Sequence, residues 1–237
     1  MIKKILILGA SSDIGLETIN LYLKNSWKII AHFNSNSKKL DKLRKLNNDI
    51  DLVKFNFKNQ KNIEKRIKKK FYHGYDTIIN LVGYIDNKSF SQSSLQDTMT
   101  ALKINALIPN LIIKNNLNFM IKNKWGRIVN GSALGIPYGG GEFSYNYNLS
   151  KHCLEFIPGK LKLLAKNNVL INNLRIGHTD TKIHKKMKKS LFGKKRINLI
   201  PLNRMASPKE MAEYLYFLGS EKNTYMTNET ISATGGE

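Results

Sequence analysis

The feature that most constrains this chain is the alternation of short apolar runs with longer segments of helical periodicity. The runs show little polar alternation, as strands do when both faces of a parallel sheet are buried. They are Ile2–Leu8, Trp27–Phe33, Asp51–Phe55, Thr77–Leu81, Gly126–Asn130 and Val169–Leu174. Helices are predicted near residues 13–25, 37–47, 59–70, 94–122, 145–166 and 207–219. This alternation predicts an α/β fold with a doubly wound, mostly parallel sheet and helices on both of its faces.

Composition limits the class of protein. No break in composition, linker or repeat divides the 237 residues, so we expect residues 1–237 to form one domain. The single cysteine, Cys153, excludes an intrachain disulfide, and the apolar run Ile5–Leu8 is too short for the core of a signal peptide. No stretch reaches the roughly 20 apolar residues of a membrane span. These features predict a cytoplasmic protein.

The chain is strongly basic, with a formal net charge of +22 from 39 basic and 17 acidic residues. Such a balance is compatible with nucleic acid, an anionic membrane or an acidic partner. A bias of composition towards Lys, Asn and Ile explains it as well, and we favour that explanation. We therefore expect neither a membrane nor a nucleic acid as partner.

A glycine-containing turn follows the first predicted strand and opens the first predicted helix. Residues 9–15 read Gly-Ala-Ser-Ser-Asp-Ile-Gly. Gly9 permits a tight turn and Gly15 permits close packing of helix on sheet, so free amides at the helix start can face a pyrophosphate. The structural alternative is an ordinary turn capped by Ser12 or Asp13.

Further polar residues fall at or after the later strands, where open parallel sheets bind ligands. Tyr147 and Lys151 are four residues apart and share one face of a predicted helix. A lysine beside a tyrosine favours the phenolate and lowers the pKa of that tyrosine. A structural role explains each of these residues taken alone, but it does not explain why all of them occur in this order and at these places along the chain. They are Asn80, Gly83, Asn105, Ser132, Tyr147, Lys151 and residues 175–181.

In this order of motifs the sequence resembles the short-chain dehydrogenase/reductase family, from Gly9 to Gly236. The resemblance implies a single NAD(P)-binding domain of the Rossmann type, with a substrate lid near residues 178–205. It implies a catalytic tetrad of Asn105, Ser132, Tyr147 and Lys151. It also implies cofactor contacts from Gly9, Ser11, Ser12, Ile14, Gly15, Asn80, Gly83, Tyr147, Lys151, Gly177 and Thr181.

The resemblance further implies roles for the tetrad. Tyr147 exchanges a proton with the substrate oxygen while hydride moves to or from the nicotinamide, and Lys151 lowers the pKa of Tyr147 and holds the ribose. Ser132 binds the substrate oxygen, and Asn105 holds a water in a proton relay. The chain departs from the family pattern at Leu8, Asp13 and Ile176, and Pro158 interrupts the helix that often forms the subunit interface. We expect a homo-oligomer, either a dimer or a tetramer.

The cofactor is predicted to be NADP(H) rather than NAD(H). Enzymes that prefer NAD place an acidic residue after the second strand, whereas this chain has no acid between His32 and Asp41. Amide, hydroxyl and ammonium groups suit a 2′-phosphate. The predicted contacts are Asn34, Ser35 and Lys38.

The predicted lid is rich in lysine and lacks acids between Lys182 and Arg196. It indicates an anionic or carrier-bound substrate, or it reflects composition alone. His178, Asp180 and His184 have a loosely metal-like spacing, but we expect no metal site there.

The leading hypothesis is therefore an oxidoreductase that interconverts a small-molecule carbonyl and a secondary alcohol, similar to 3-oxoacyl-thioester reductases. One alternative is a sugar or polyol dehydrogenase, including one for sugar nucleotides. The other is a catalytically silent dinucleotide-binding regulator.

Overall fold

The computed structural model describes residues 2–58, 61–182 and 197–237. Within this part of the chain, seven strands form one sheet in which every pairing is parallel. The strands are β1 (Lys4–Leu8), β2 (Lys28–Phe33), β3 (Ile50–Lys54), β4 (Thr77–Asn80), β5 (Gly126–Ala133), β6 (Val169–Ile176) and β7 (Thr230–Ala233). The α-helices are α1 (Asp13–Lys24), α2 (Lys38–Leu46), α3 (Ile63–Phe71), α4 (Leu95–Leu102), α5 (Ile108–Lys122), α6 (Tyr145–Glu155) and α7 (Pro208–Gly219).

The strand order is β3-β2-β1-β4-β5-β6-β7, so the direction of winding reverses between β1 and β4. In the register of this central pair, Leu8 lies opposite Asn80. Open α/β sheets bind ligands outside the carboxyl ends of the strands at such a reversal. The topology therefore places the ligand site beyond Leu8 and Asn80.

Two apolar clusters cover the two faces of the sheet. On one face, Ile19 of α1 and Leu215 of α7 pack in a cluster that includes Ile7 of β1. On the other face, Ile67 and Ile112 pack in a cluster that includes Leu6. Consecutive residues of β1 thus point into opposite cores, which explains the unbroken apolar run in the sequence. The predicted doubly wound fold is confirmed, and the sheet is parallel throughout the described residues.

Two predicted helices are interrupted. The helix predicted near residues 145–166 ends at Glu155, and a 3₁₀ segment, Gly159–Asn167, follows it. Pro158 explains this break, because proline has no amide hydrogen with which to continue a helix. The helix predicted near residues 94–122 contains a π-helical turn, Lys103–Leu107, between α4 and α5. Both helices that carry predicted catalytic residues are therefore less regular than the sequence predicted.

The predicted lid, residues 178–205, lies only partly in the described structure. Residues 183–196, including His184, are outside the described residues, and so are residues 59–60 at the start of a predicted helix. The two ends of the lid are joined, because Thr179 pairs with Ala206 in a parallel bridge. In the described ranges, no helix is long and apolar enough to cross a membrane.

Candidate active site

The turn between β1 and α1 is shaped by its two glycines. Gly9 has a φ of +76°, and a Cβ on it would lie 2.7 Å from the carbonyl oxygen of Leu81. A Cβ on Gly15 would lie 2.7 Å from the carbonyl oxygen of Ala10. Ser12 caps α1, because its Oγ accepts a hydrogen bond from the Gly15 amide at 3.0 Å. The amino end of α1 consequently sits tightly against the carboxyl ends of β1 and β4.

A cleft of about 910 Å³ lies at this end of the sheet. Its walls include nine of the residues predicted to be functional and two of the departures from the family pattern. They come from the glycine turn, the carboxyl ends of β4 and β5, helix α6 and the segment after β6. These residues are Ser11, Ser12, Ile14, Gly83, Ser132, Tyr147, Lys151, Gly177 and Thr181, together with Asp13 and Ile176 among the departures from the family pattern. The fold therefore brings residues from both ends of the chain into one cleft.

Asp13 occupies the first turn of α1 and connects the glycine turn to two other segments. Its Oδ1 accepts a hydrogen bond from Lys39 Nζ at 2.8 Å, and its Oδ2 accepts one from the Lys182 amide at 2.9 Å. Burial opposes ionisation of Asp13, but these two hydrogen bonds outweigh it and lower its pKa. The charge of Asp13 is thereby directed at a lysine and an amide.

Asn80 and Asn105 organise the backbone of the cleft from buried positions. Asn80 Oδ1 accepts a hydrogen bond from the Val82 amide at 3.1 Å. Asn105 lies in the π-helical turn, and its side chain bonds both the amide and the carbonyl of Tyr84, at 2.7 and 2.9 Å. Its Nδ2 also donates to Ser150 Oγ at 2.8 Å. The Asn105 side chain thus ties the segment after β4 to α6.

Lys151 is almost completely buried, with 2% of its surface exposed. Its Nζ donates to the carbonyl oxygens of Val82 and Gly131, at 2.8 and 2.6 Å. Burial lowers the pKa of Lys151 to about 7, although the charge of Glu155 acts in the opposite direction. The ammonium is therefore held at the floor of the cleft, between the ends of β4 and β5.

Tyr147 lies one helical turn before Lys151, and Lys151 Nζ is 5.9 Å from the centroid of its ring. Burial raises the pKa of Tyr147 to about 12. The expected lowering of this pKa by Lys151 is outweighed by burial. The reason is that Nζ is directed at two carbonyls and the phenol is desolvated. Tyr147 is accordingly a protonated phenol at neutral pH.

Ser132 lies near the carboxyl end of β5 and in the cleft wall, but its hydroxyl is engaged elsewhere. Ser132 Oγ donates to Glu155 Oε1 at 2.7 Å, two helical turns beyond Tyr147. A serine hydroxyl has one proton, so in this arrangement Ser132 can only accept a hydrogen bond from a ligand.

The predicted contacts for the adenosine end are separated from the cleft. Asn34, Ser35 and Lys38 are exposed after β2 and are not among the residues of the cleft wall. Lys39, which the sequence analysis did not select, reaches Asp13 in the cleft wall instead. In the sequence, the only indication for Lys39 was its place in the same basic segment. Which of the neighbouring lysines reaches Asp13 depends on where α2 begins and how it is oriented.

The segment after β6 closes the cleft wall at Gly177. The Gly177 amide donates to the carbonyl oxygen of Ala233 at 3.0 Å, and a Cβ at this position would lie 2.7 Å from the same oxygen. Among the described residues, no group of three or more His, Cys, Asp or Glu side chains is arranged to hold a metal ion.

Comparison with known proteins identifies the family of this chain. A family model described as enoyl-(acyl carrier protein) reductase, one of the short-chain dehydrogenase/reductase models, matches residues 9–237. The chain belongs to the short-chain dehydrogenase/reductase family, and as a member it is an NAD(P)-dependent oxidoreductase.

Individual relatives are similar over most of the chain. The 3-oxoacyl-[acyl-carrier-protein] reductase FabG of Aquifex aeolicus is 34% identical over 187 residues, which cover 78% of this chain and 75% of the relative. The enzyme of that name from Buchnera aphidicola subsp. Schizaphis graminum is 29% identical, covering 99% of this chain and 87% of its own. A crystal structure of 3-oxoacyl (acyl-carrier-protein) reductase from Agrobacterium tumefaciens C58 with NADP bound has a TM-score of 0.88 and 20% identity, covering 99% and 94%. At that identity the structure shows the common fold.

Proposed function

We propose that this protein is an NADP(H)-dependent reductase of 3-oxoacyl thioesters, with Asn105, Ser132, Tyr147 and Lys151 as its catalytic tetrad. The observation that carries the proposal is that Tyr147 and Lys151 share one cleft with the amino end of α1. Tyr147 provides a proton donor, and the amino end of α1 provides a binding place for a pyrophosphate. The names of the Aquifex and Buchnera relatives support the substrate class.

The residues present fit a dinucleotide. Ser11, Ser12 and Ile14 line the cleft where α1 begins, and the free amides of a helix start favour the negative charge of a pyrophosphate. A Cβ at Gly9 or Gly15 would collide with the protein backbone, so only glycines at these positions allow this form of the turn. Gly83, Gly177 and Thr181 would hold the remainder of the cofactor, with Asn80 supporting the backbone beside them. When bound, the cofactor supplies or accepts the hydride.

Tyr147 is proposed to donate the proton to the carbonyl oxygen of the substrate. Its pKa of about 12 keeps the phenol protonated at neutral pH, which is the form that a reduction requires. For the reverse reaction the phenolate is needed, and a neighbouring positive charge favours it. Lys151, when it leaves the carbonyls of Val82 and Gly131 for a ribose hydroxyl, would bring that charge closer.

Ser132 and Asn105 are proposed to support this step. Rotation of the Ser132 hydroxyl away from Glu155 would let it donate to the substrate oxygen as negative charge develops there. Both N–H donors of the Asn105 side chain are used by Tyr84 and Ser150, and its Oδ1 accepts from the Tyr84 amide. Its contribution to a proton relay would therefore come through the backbone of its π-helical turn. A π-helical turn leaves the regular hydrogen-bond pattern of the helix and is frequent at functional sites.

The cofactor is proposed to be NADP(H) in preference to NAD(H). No acid follows β2 before Asp41. Asn34, Ser35 and Lys38 of this segment remain the proposed contacts of the 2′-phosphate, and Lys39, which pairs with Asp13 of the cleft wall, adds a cation closer to the cleft. The bound NADP of the Agrobacterium structure supports the same choice. Fluorescence titration of the protein with NADPH and with NADH tests it. Tighter binding of NADPH is expected, and equal or reversed affinity would contradict the preference.

The substrate class is tested with a soluble thioester. The protein is mixed with NADPH and acetoacetyl-coenzyme A, and the loss of NADPH absorbance is followed. A panel of aldoses, polyols and simple ketones is measured in parallel. Turnover of the thioester with the best kcat/KM of the panel supports the proposal, whereas preference for a sugar or polyol would assign the alternative function. Binding of NADPH without turnover of any carbonyl would favour a silent regulator.

We also propose that residues 1–237 act as one domain in a cytoplasmic homo-oligomer. Exposed apolar side chains on α7, Tyr214 and Phe217, lie beside Ile231 of the edge strand β7 and support an interface there. Light scattering on the purified protein measures the mass, and a mass of one 27.1 kDa chain at micromolar concentration would contradict the oligomer.

A further inference from the structure

Glu155, the last residue of α6, lies at the centre of a small ionic cluster behind the cleft. Its Oε1 accepts hydrogen bonds from Ser132 Oγ at 2.7 Å and from Arg175 Nε at 2.8 Å. Its Oε2 accepts one from the Arg175 guanidinium at 2.7 Å. The carboxylate is mostly buried, with a side-chain exposure of 9%, and the arginine side chain has 24%. This two-point geometry is the strong form of an arginine–carboxylate pair.

The fold fixes each member of the cluster. Ser132 and Arg175 lie directly opposite each other in the register of β5 and β6. The backbone carbonyl of Glu155 accepts a hydrogen bond from Asn173 Nδ2 at 2.9 Å, where α6 ends before Pro158. The last turn of α6 is thereby attached to two neighbouring strands of the sheet.

Glu155 lies four residues after Lys151, so the two side chains are on the same face of α6. Lys151 Nζ is buried and bonds only neutral carbonyl oxygens among the contacts described above. Burial disfavours an ammonium, and the negative charge of Glu155 acts against that effect. Arg175 neutralises the charge of Glu155, so the net charge of this pair influences how readily Lys151 holds its proton.

We propose that Glu155 and Arg175 are a positioning pair, in which Glu155 keeps Lys151 protonated and orients Ser132 while Arg175 limits the charge of Glu155. The effect on catalysis rests on the proposed function, whereas the effect on Lys151 does not. Neither residue is in the cleft wall, so both act through Lys151 and Ser132.

Other ionisable groups also face the active site. From α6 comes Tyr147, and Tyr138 lies near Arg175 on the cleft side. The remaining groups are in the cleft wall, and they are Asp13, His178, Lys182 and Glu237. All of them are unchanged in the variants of the following test, so their contributions cancel in the comparison.

The test follows Lys151 directly and needs no substrate. The protein is prepared with ¹³C-labelled lysine, and the Cε signal of Lys151 is titrated by NMR, with Lys151→Arg identifying the signal. Glu155→Gln removes the negative charge and leaves Arg175 unbalanced, so the midpoint should fall by about 1 pH unit. Arg175→Gln leaves Glu155 unbalanced, and the midpoint should rise by about 1 unit. Glu155→Gln/Arg175→Gln should return towards the wild type.

Opposite shifts are the decisive result, because a purely structural role would not move the two midpoints in opposite directions. Shifts in one direction, or two unchanged midpoints in folded variants, would overturn the proposal. Arg175→Lys retains the charge and should resemble the wild type, so Arg175→Gln and Arg175→Lys decide the matter even if Glu155→Gln does not fold. With acetoacetyl-coenzyme A as substrate, the pH dependence of kcat should differ from the wild type in both Glu155→Gln and Arg175→Gln. If no carbonyl is turned over, the NMR result still stands.

Discussion

Nδ1 of His32 accepts a hydrogen bond from the amide of Gly9 at 3.2 Å, so a side chain of β2 holds the turn that opens the cleft. Nε2 of the same imidazole lies 2.9 Å from the carbonyl oxygen of Phe55. With Nδ1 as acceptor, Nε2 carries the proton, and the neutral ring is fully used. His32 therefore connects the end of β3 to the glycine turn through one buried side chain.

This arrangement predicts a pH-dependent stability. Burial lowers the pKa of His32 to about 4, below the ordinary value of 6.5. The unfolded chain binds the proton more readily between these values, so the free energy of unfolding should fall as the pH decreases from about 6.5 to 4. The full contribution of His32 is about 3 kcal/mol. Urea unfolding at several pH values measures it.

His32→Asn is the matched variant for this measurement, because its Oδ1 can still accept from Gly9 and it does not titrate. Carboxylates titrate in the same interval and contribute to both proteins. The part of the pH dependence of the unfolding free energy that is lost in His32→Asn comes from His32. The same pH dependence in the two proteins would refute the assignment.

Gly9→Ala should be strongly destabilising and should weaken NADPH binding. The residue has a φ of +76°, and the new Cβ would lie 2.7 Å from Leu81 oxygen. We expect a loss of about 2 kcal/mol or more in the free energy of unfolding, combining strain and displacement. Gly159→Ala is the control, since its Cβ meets no atom within 4 Å. A loss of equal size in both variants would show that packing at the turn is not the cause.

Tyr147→Phe should abolish most of the reductase activity while preserving the fold. The change removes only the hydroxyl, so the ring can stay in place next to Lys151. Loss of a positioned proton donor is expected to lower kcat by about 10²-fold or more. Stopped-flow measurement of NADPH oxidation gives the rate, and NADPH titration verifies that the cofactor still binds. Retention of wild-type kcat would mean that another group supplies the proton.

Lys39→Ala should reduce the preference for NADPH over NADH by about tenfold, as expected for one charge-assisted contact at an exposed site. Lys39 Nζ is 2.8 Å from Asp13 in the cleft wall, whereas Lys38, its neighbour in sequence and also exposed, is not among the residues of the cleft wall. Lys38→Ala is therefore the comparison, with a smaller expected effect. The ratio of the two dissociation constants is measured for each variant, and a larger effect at Lys38 would restore the contact predicted from sequence.

The sequence by itself determined the class of fold and the order of the site. Unbroken apolar runs such as Ile5–Leu8 require burial on both faces, and that requirement implies a parallel sheet covered by helices. Because such a sheet collects the carboxyl ends of its strands at one edge, the glycine turn, Ser132 and Tyr147 were expected to meet. Ser11 of that turn, Ser132 and Tyr147 all border one cleft. Pro158 likewise predicted the interruption after α6.

Only the tertiary structure decided where individual polar groups point. Ser132 has one proton, and the carboxylate that receives it is 23 residues away in sequence. The pKa of Tyr147 is raised because the phenol is buried, and burial depends on surroundings that no local spacing encodes. Lys39 was distinguished from Lys38 by the start of α2, and Glu155 was joined to Arg175 by the contact between α6 and β6. These choices depend on distances between segments that are remote in sequence.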